Sequence, residues 1–176
     1  MGRRQDEFAE FFAARFDFAR RIAYALCGNW AEAEELAQTA FVRMYAHWGR
    51  VRTETADAYL RTVLTRAFLD TRRRGRAREQ VMAEVPDRAA PETGYDHERE
   101  TLIAALASVP ARQRAVLVLR FLQDLSIEQA ASTLGCSTGT VKSQTTRGLA
   151  NLRKAYQALS GELSGQQGLT GLAGYA

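Results

Sequence analysis

Five polar side chains near the end of the sequence have the types and spacing needed to read DNA from one face of a helix. They are Thr138, Lys142, Ser143, Thr146 and Arg147. Lysine and arginine bond guanine edges, and serine and threonine hydroxyls bond phosphates or bases. Because helical periodicity turns Val141 inward, the five side chains are expected to face outward. The pattern favours nucleic-acid recognition, although a solvated helix face would use the same residue types.

The densest charge in the chain is a run of arginines. No acidic residue interrupts it before Glu79, and its members are Arg72, Arg73, Arg74, Arg76 and Arg78. Such a run suits a phosphate backbone. A solvated helix end or an anionic membrane surface would also suit it. The DNA-reading pattern elsewhere on the same chain makes nucleic acid the better interpretation.

The elements that would position the first group form a helix-turn-helix over residues 125–153. Ser126 and Gln129 make a capping box for a short helix, Gly135 marks a tight turn, and Ser137 can cap a long second helix. In such a unit the second helix enters the major groove and meets base edges with its first turns. An ordinary pair of packed helices without a ligand is the alternative.

The rest of the chain is also predicted to be helical. Three amphipathic helices precede residue 80; the first ends at Gly28, and the second is capped by Asn29 and closed by Gly49. Helical periodicity resumes at Leu102 and continues to Tyr156, with Leu149 expected in the core, and no strand is predicted. The fold class is therefore all-α, with two small helical domains at residues 5–80 and 99–160.

The net charge of +4 over 176 residues divides by segment. Residues 1–80 carry 15 basic and 11 acidic side chains, and residues 99–176 carry eight and four. Between them, residues 81–98 carry one basic and five acidic side chains together with two prolines, which predicts an acidic linker. Residues 161–176 contain five glycines and are predicted to be a flexible tail.

Composition also excludes several function classes. No apolar run approaches the ~18 residues of a membrane span, and the N-terminus has no apolar signal region, so a cytoplasmic protein is expected. Two cysteines and two scattered histidines predict neither a disulfide framework nor a metal site. No nucleophile has an evident base, so no enzyme activity, cofactor or small-molecule substrate is predicted.

With these features placed, two ordered sets of motifs resemble the bacterial extracytoplasmic-function (group 4) sigma factors. The first set comprises residues 31–41 and 58–74, and the second comprises residues 109–120, 125–126 and 135–143. The resemblance covers nearly everything from Phe8 to Tyr156. Trp48 and the run at residues 142–145 are similar to an actinobacterial branch of that family.

The resemblance implies a sigma factor that binds core RNA polymerase and directs promoter-specific initiation. The C-terminal domain would read the −35 element with the five polar side chains named first. The N-terminal domain would capture and melt the −10 element, with Trp48 and Tyr59 as candidate stacking residues. Its candidate contacts are Trp48, Arg50, Arg52, Arg66, Arg72, Arg73 and Arg74. Candidate contacts to the polymerase β′ coiled coil are Glu35, Leu36, Gln38 and Phe41. Further candidate partners are the polymerase β flap and an anti-sigma factor.

Several alternatives stay open at this point. Leu36, Phe41, Trp48 and Tyr59 also fit a helical core, and the acidic linker fits either the polymerase cleft or a plain tether. Many members of the family have arginine where Gln144 stands. A free-standing helix-turn-helix regulator would explain the C-terminal domain alone. Such a regulator would bind duplex DNA tightly by itself, whereas a sigma factor would bind it poorly without polymerase.

Overall fold

The computed structural model of the chain describes residues 2–79 and 97–170, and describes side chains at residues 2, 4–75 and 98–161. The predicted acidic linker lies outside these residues except for its last two positions, which begin a helix. The last six residues of the predicted tail also lie outside them. The described residues contain no strand, and none of their helices is long and apolar enough to cross a membrane.

The described residues form two helical lobes, as the sequence predicts. The N-terminal lobe contains α1 (Gly2–Cys27), α2 (Trp30–His47) and α3 (Ala56–Glu79). The C-terminal lobe contains α4 (His97–Ser108), α5 (Ala111–Leu117), α6 (Ile127–Leu134) and α7 (Thr138–Thr170). Two 3₁₀ turns, Trp48–Arg50 and Thr53–Thr55, join α2 to α3, and a π-helical turn, Val118–Leu122, follows α5.

Local sequence signals set most of the helix ends. Gly28 has φ of +77°, a left-handed conformation that ends α1 without the steric cost of a Cβ. Asn29 then accepts a hydrogen bond from the backbone N–H of Glu32 at 3.0 Å, which caps α2. The Glu32 side chain pairs with Arg72 instead of completing a capping box. Both halves of the capping box of Ser126 are present at the start of α6.

The core of the N-terminal lobe contains a cluster of aromatic rings between α1 and α2. Phe12 and Phe41 meet edge to face with ring centroids 5.0 Å apart, and Trp48 lies 5.2 Å from Phe8. Edge-to-face pairs of this kind add to the stabilisation that burial of the rings provides. Leu60, Leu64 and other apolar residues of α3 complete this core. The 3₁₀ turns after α2 are therefore anchored at Trp48.

Three large apolar side chains of the C-terminal lobe lie at its surface instead of in its core. Leu149, which was expected in the core, is partly exposed. Phe121 and Leu122 are also partly exposed, because the π-helical turn after α5 rotates their side chains away from the buried residues that precede them.

α7 extends to Thr170, so the helix continues ten residues into the segment predicted as a tail.

The two lobes contact each other in the described structure. α1 packs against α4, and α3 packs against α5 and α6. Buried residues of the C-terminal lobe, including Ile103, Leu106 and Val109, join the core of the N-terminal lobe in one continuous cluster. The sequence predicts two domains and gives no indication that they pack together.

Candidate nucleic-acid interface

The first turns of α7 present the five polar side chains that the sequence selects. Thr138, Lys142, Ser143, Thr146 and Arg147 are all exposed. Val141 is fully buried between them and packs with Leu125, Ala130 and Ala131. Ser137 fixes the start of the helix by accepting a hydrogen bond from the backbone N–H of Thr140 at 3.1 Å. The arrangement gives a polar face on a rigid, capped helix whose opposite side is held by the core.

The N-terminal lobe has an open cavity beside the 3₁₀ turns, with a volume of about 430 Å³. Tyr59 lies half-buried on its wall with Val51. The other lining residues are His47, Arg50, Thr55, Ala58 and Thr62. The cavity thus combines a phenol ring, an imidazole ring, apolar surface, hydroxyl groups and a guanidinium. This combination suits an unpaired nucleobase, which needs a stacking surface and hydrogen-bond partners on its edge.

Trp48 does not have the exposure that a stacking residue needs. Only 8% of it is exposed, and its ring packs against Phe8 and Phe11 with centroids 5.2 and 5.1 Å away. Trp48 is therefore a core residue that anchors the turn, and of the two candidate stacking residues only Tyr59 reaches the cavity. Arg50 and Arg52, on the same turns, are exposed.

The arginine run forms the end of α3, and its members differ in environment. Arg72 is half-buried: its guanidinium pairs with Glu32 at 2.9 Å and lies over the ring of Phe68 at 5.4 Å. Arg73 is exposed and pairs with Asp70 at 3.1 Å. Arg74 is exposed. Arg72 therefore holds α2 against α3, whereas Arg73 and Arg74 are accessible to phosphate.

Arg66 lies near the other lobe. It is exposed on α3, and its Nη2 atom lies 3.8 Å from the position that a Cβ on Gly135 would occupy. Gly135 has φ of +65° and forms the turn between α6 and α7. A candidate contact of the −10 element thus lies beside the turn that leads into the candidate −35 helix.

The exposed face of α2 differs in part from the predicted polymerase contact. Glu35 and Gln38 are exposed, but Leu36 and Phe41 are only 6% and 2% exposed and belong to the core. Helical periodicity places both on the inward face of α2, in agreement with the core alternative, and their contact with polymerase stays a prediction. The exposed face contains two apolar residues that the sequence reasoning missed, Val42, which is 69% exposed, and Tyr45, which is half exposed. Their exposure follows from helical spacing, which places Val42 and Tyr45 on the same outward face as Glu35, Gln38 and Thr39.

Arg114 is a further residue that the sequence reasoning did not single out. It is 6% exposed, and burial together with the charge of Arg72 lowers the pKa of its guanidinium to about 10. The guanidinium therefore remains charged at neutral pH. Its only sequence signal is its position in the motif at residues 109–114, which does not reveal burial.

The thiol of Cys27 shows no sign of catalytic activation. Cys27 is buried and donates a hydrogen bond to the carbonyl of Asn29, and burial raises the pKa of its thiol to about 11. Such a thiol stays protonated at neutral pH. Among the side chains that the structure describes, no group of three or more metal-ligating residues comes together.

Comparison with known proteins identifies the two lobes. Residues 11–78 match the family model of Sigma-70 region 2, and residues 99–152 match that of Sigma-70, region 4. The RNA polymerase sigma-E factor of Streptomyces avermitilis is 36% identical over 154 residues, which cover 86% of each chain. The ECF RNA polymerase sigma factor SigE of Mycolicibacterium smegmatis is 39% identical over 145 residues, covering 78% of this chain and 56% of that one. The chain belongs to the extracytoplasmic-function sigma factors of RNA polymerase.

The fold agrees with that assignment. The sigma factor RpoE of Bartonella quintana, solved in complex with the anti-sigma factor NepR, superimposes with a TM-score of 0.71 at 24% identity. The match covers 86% of this chain and 97% of that one. The N-terminal lobe is sigma region 2 and the C-terminal lobe is sigma region 4. A free-standing regulator is excluded because region 2 is present, and sigma factors are regulatory, non-catalytic proteins.

Proposed function

We propose that this sigma factor reads the −35 element with Thr138, Lys142, Ser143, Thr146 and Arg147 of α7. The observation that carries the proposal is the exposure of all five on the first turns of a capped helix whose Val141 is buried. Backbone contacts position such a helix, and base contacts give it specificity. The direct test adds the protein to core polymerase on a genomic template library. We expect promoter-specific transcripts, whereas tight duplex binding by the protein alone with no transcript would contradict the proposal.

The proposed −10 surface comprises the cavity at Tyr59 with Arg50, Arg52, Arg66 and the accessible arginines at the end of α3. An extruded base would stack on the Tyr59 ring, and the guanidiniums would neutralise the flanking phosphates. Arg72 and Trp48 contribute to this surface by holding its framework, through the Glu32 pair and the aromatic cluster respectively.

Replacing Tyr59 with alanine is expected to reduce promoter opening at the −10 element about 5- to 150-fold, since base–aromatic stacking contributes ~1–3 kcal/mol per base. The reactivity of −10 thymines to permanganate in the polymerase complex measures the opening. Tyr59→Phe keeps the ring and should retain most of the opening. Equal opening by the wild type and Tyr59→Ala would exclude the cavity as the base site.

The proposed polymerase contact is the exposed face of α2, where Glu35 and Gln38 lie beside the apolar Val42 and Tyr45. A helix face that mixes exposed apolar groups with charge is typical of a docking surface for another helix. The β′ coiled coil is the proposed partner of this face.

Val42→Asp is expected to weaken binding to core polymerase ~tenfold or more, because docking would bury an unpaired carboxylate at the centre of the face. The dissociation constant of the labelled sigma factor from core polymerase gives the measurement. Ala14→Asp, on the exposed side of α1, adds the same charge elsewhere and serves as the control. An unchanged dissociation constant for Val42→Asp would remove this face from the proposal.

The remaining partners are also proposals. The polymerase β flap is the proposed contact of region 4, and an anti-sigma factor is a proposed regulator. The second proposal is motivated by the complex of RpoE with NepR, which describes that protein and gives this chain only its fold likeness. Because core polymerase is the proposed partner, the cell interior is the proposed place of action, and no small-molecule substrate is required.

A further inference from the structure

A second open cavity of region 2 adjoins the cavity at Tyr59. Its volume is about 1190 Å³, nearly three times that of the cavity at Tyr59. His47 and Arg50 line both cavities, so the two are neighbours around the first 3₁₀ turn. The start of α1 supplies another part of the lining, which includes Arg4 and Glu7. A DNA strand that leaves one base beside Tyr59 therefore has this second cavity next to it.

The side chain of Arg4 crosses from α1 to the first 3₁₀ turn. Its guanidinium lies over Gly49, since a Cβ built on Gly49 would lie 2.7 Å from Nη1 and 3.0 Å from Cζ of Arg4. Both distances are shorter than ordinary van der Waals contacts, so the guanidinium occupies this place only because Gly49 has no side chain. The φ angle of Gly49 is outside the left-handed region, so the backbone itself does not require glycine. Gly49 thus allows the Arg4 guanidinium to lie beside Arg50, which borders both cavities.

Arg4 and Arg50 bring two accessible guanidiniums to this cavity. Both side chains are exposed, and neither pairs with a carboxylate among the side chains that the structure describes. By contrast, Arg15 on the same helix as Arg4 donates from two nitrogens to the two carboxylate oxygens of Asp57, at 2.7 and 3.1 Å. Of the described lining residues only Glu7 is acidic, so the two guanidiniums leave an excess of positive charge. Planar guanidiniums of this kind suit a phosphate group.

We propose that Arg4 is a further promoter contact, which together with Arg50 binds the phosphate next to the base held in the cavity at Tyr59. The proposal rests on the proposed −10 surface and extends that surface to the start of α1. Single-stranded DNA is the ligand whose chemistry fits both cavities, because an aromatic wall binds a base and neighbouring guanidiniums bind the backbone.

Two substitutions remove the Arg4 contact in different ways, and each has a matched control. Arg4→Gln removes the charge, and Arg21→Gln removes the same charge from an exposed position of α1, ~26 Å further along the helix axis. Gly49→Ala keeps the charge but places a methyl group where the guanidinium lies. Its control is Gly161→Ala on α7, where a Cβ would meet nothing within 4 Å. Because both test substitutions act on one contact, their effects should not add in the double variant.

The measurement is the affinity of the sigma factor bound to core polymerase for a single-stranded −10 oligonucleotide, at several salt concentrations. The oligonucleotide is taken from a promoter that the transcription test identifies. One phosphate contact contributes ~0.7 to the slope of log affinity against log salt concentration, which corresponds to about fourfold at ~0.15 M salt. We expect Arg4→Gln to lose about fourfold in affinity and ~0.7 in slope. Gly49→Ala should also weaken binding but add nothing to Arg4→Gln, and the two controls should match the wild type.

Oligonucleotides in which single phosphates are replaced by neutral methylphosphonates locate the contact. One replacement should weaken binding of the wild type about fourfold and leave that of Arg4→Gln unchanged. If no replacement distinguished the two proteins, or if Arg4→Gln kept the affinity and salt slope of the wild type, the proposal would be overturned. Weaker binding of Arg4→Gln to core polymerase, with unchanged oligonucleotide affinity, would assign Arg4 to a polymerase contact and would also overturn it.

The Tyr59→Ala variant separates this proposal from the proposed −10 surface. If Tyr59→Ala weakens promoter opening while Arg4→Gln behaves as the wild type, the base site stands and only the Arg4 contact is wrong. If Tyr59→Ala opens promoters as the wild type does, the −10 surface itself is wrong, and with it the assignment of the neighbouring phosphate.

Discussion

Replacing Lys142 or Arg147 with alanine is expected to weaken discrimination between the preferred −35 sequence and altered ones by ~1–3 kcal/mol per residue. Both side chains are exposed on the first turns of α7, where a recognition helix meets base edges. Competition between promoters with single −35 substitutions, in the presence of core polymerase, measures the loss. If the side chain contacted only phosphate, its removal would instead weaken binding to all −35 sequences equally. The slope of log affinity against log salt concentration would then fall by ~1.

Lys154→Ala is the matched control for these two variants. It removes the same charge from the same helix at an exposed position, ~18 Å beyond Lys142 along the axis of α7. Discrimination by Lys154→Ala should equal that of the wild type. If Lys142→Ala and Arg147→Ala both ranked altered −35 sequences as the wild type does, α7 would not be the recognition helix.

Phe68→Ala is expected to lower the free energy of unfolding by ~3–5 kcal/mol, a large fraction of the ~5–15 kcal/mol that stabilises a typical domain. Phe68 is fully buried in α3, and the guanidiniums of Arg72 and Arg114 lie over its ring at 5.4 and 5.6 Å. The substitution therefore removes buried apolar surface and two cation–π contacts together. Urea denaturation followed by circular dichroism gives the measurement.

Val42→Ala provides the comparison for the stability experiment. Val42 lies on the exposed face of α2, so its truncation should change the free energy of unfolding by less than ~0.5 kcal/mol. A similar loss in the two variants would mean that Phe68 is not the packing centre that the structure describes.

The helix-turn-helix was predictable because each of its determinants is local in sequence. The capping box of Ser126, the left-handed Gly135 and the cap at Ser137 each depend on residues within four positions of one another. The exposure of Lys142 and Arg147 then follows from the inward position of Val141. The same reasoning located the end of α1 and the start of α2, because Gly28 and Asn29 determine them, whereas α2 ends at His47, before the Gly49 that was expected to close it.

Other features depend on contacts between distant parts of the chain, and these were not predictable. Trp48 and Tyr59 are both aromatic residues beside one loop, yet the α1 phenylalanines bury only Trp48. Arg114 resembles any exposed arginine until Leu26, 88 residues earlier in the sequence, is brought to its guanidinium. Periodicity identifies an inward face, but it does not identify which lobe that face meets.

The packing of the two lobes against each other also affects solubility. A guanidinium bonded to backbone carbonyls is a contact that water can replace on both sides, and Gly28 and Ala107 expose little apolar surface when they part. Separation of the lobes, however, would expose Ile103, Leu106 and Val109, which join the core of the N-terminal lobe in one cluster, and so would uncover an apolar patch. The contact between the lobes therefore keeps this apolar surface away from water and limits aggregation of the chain.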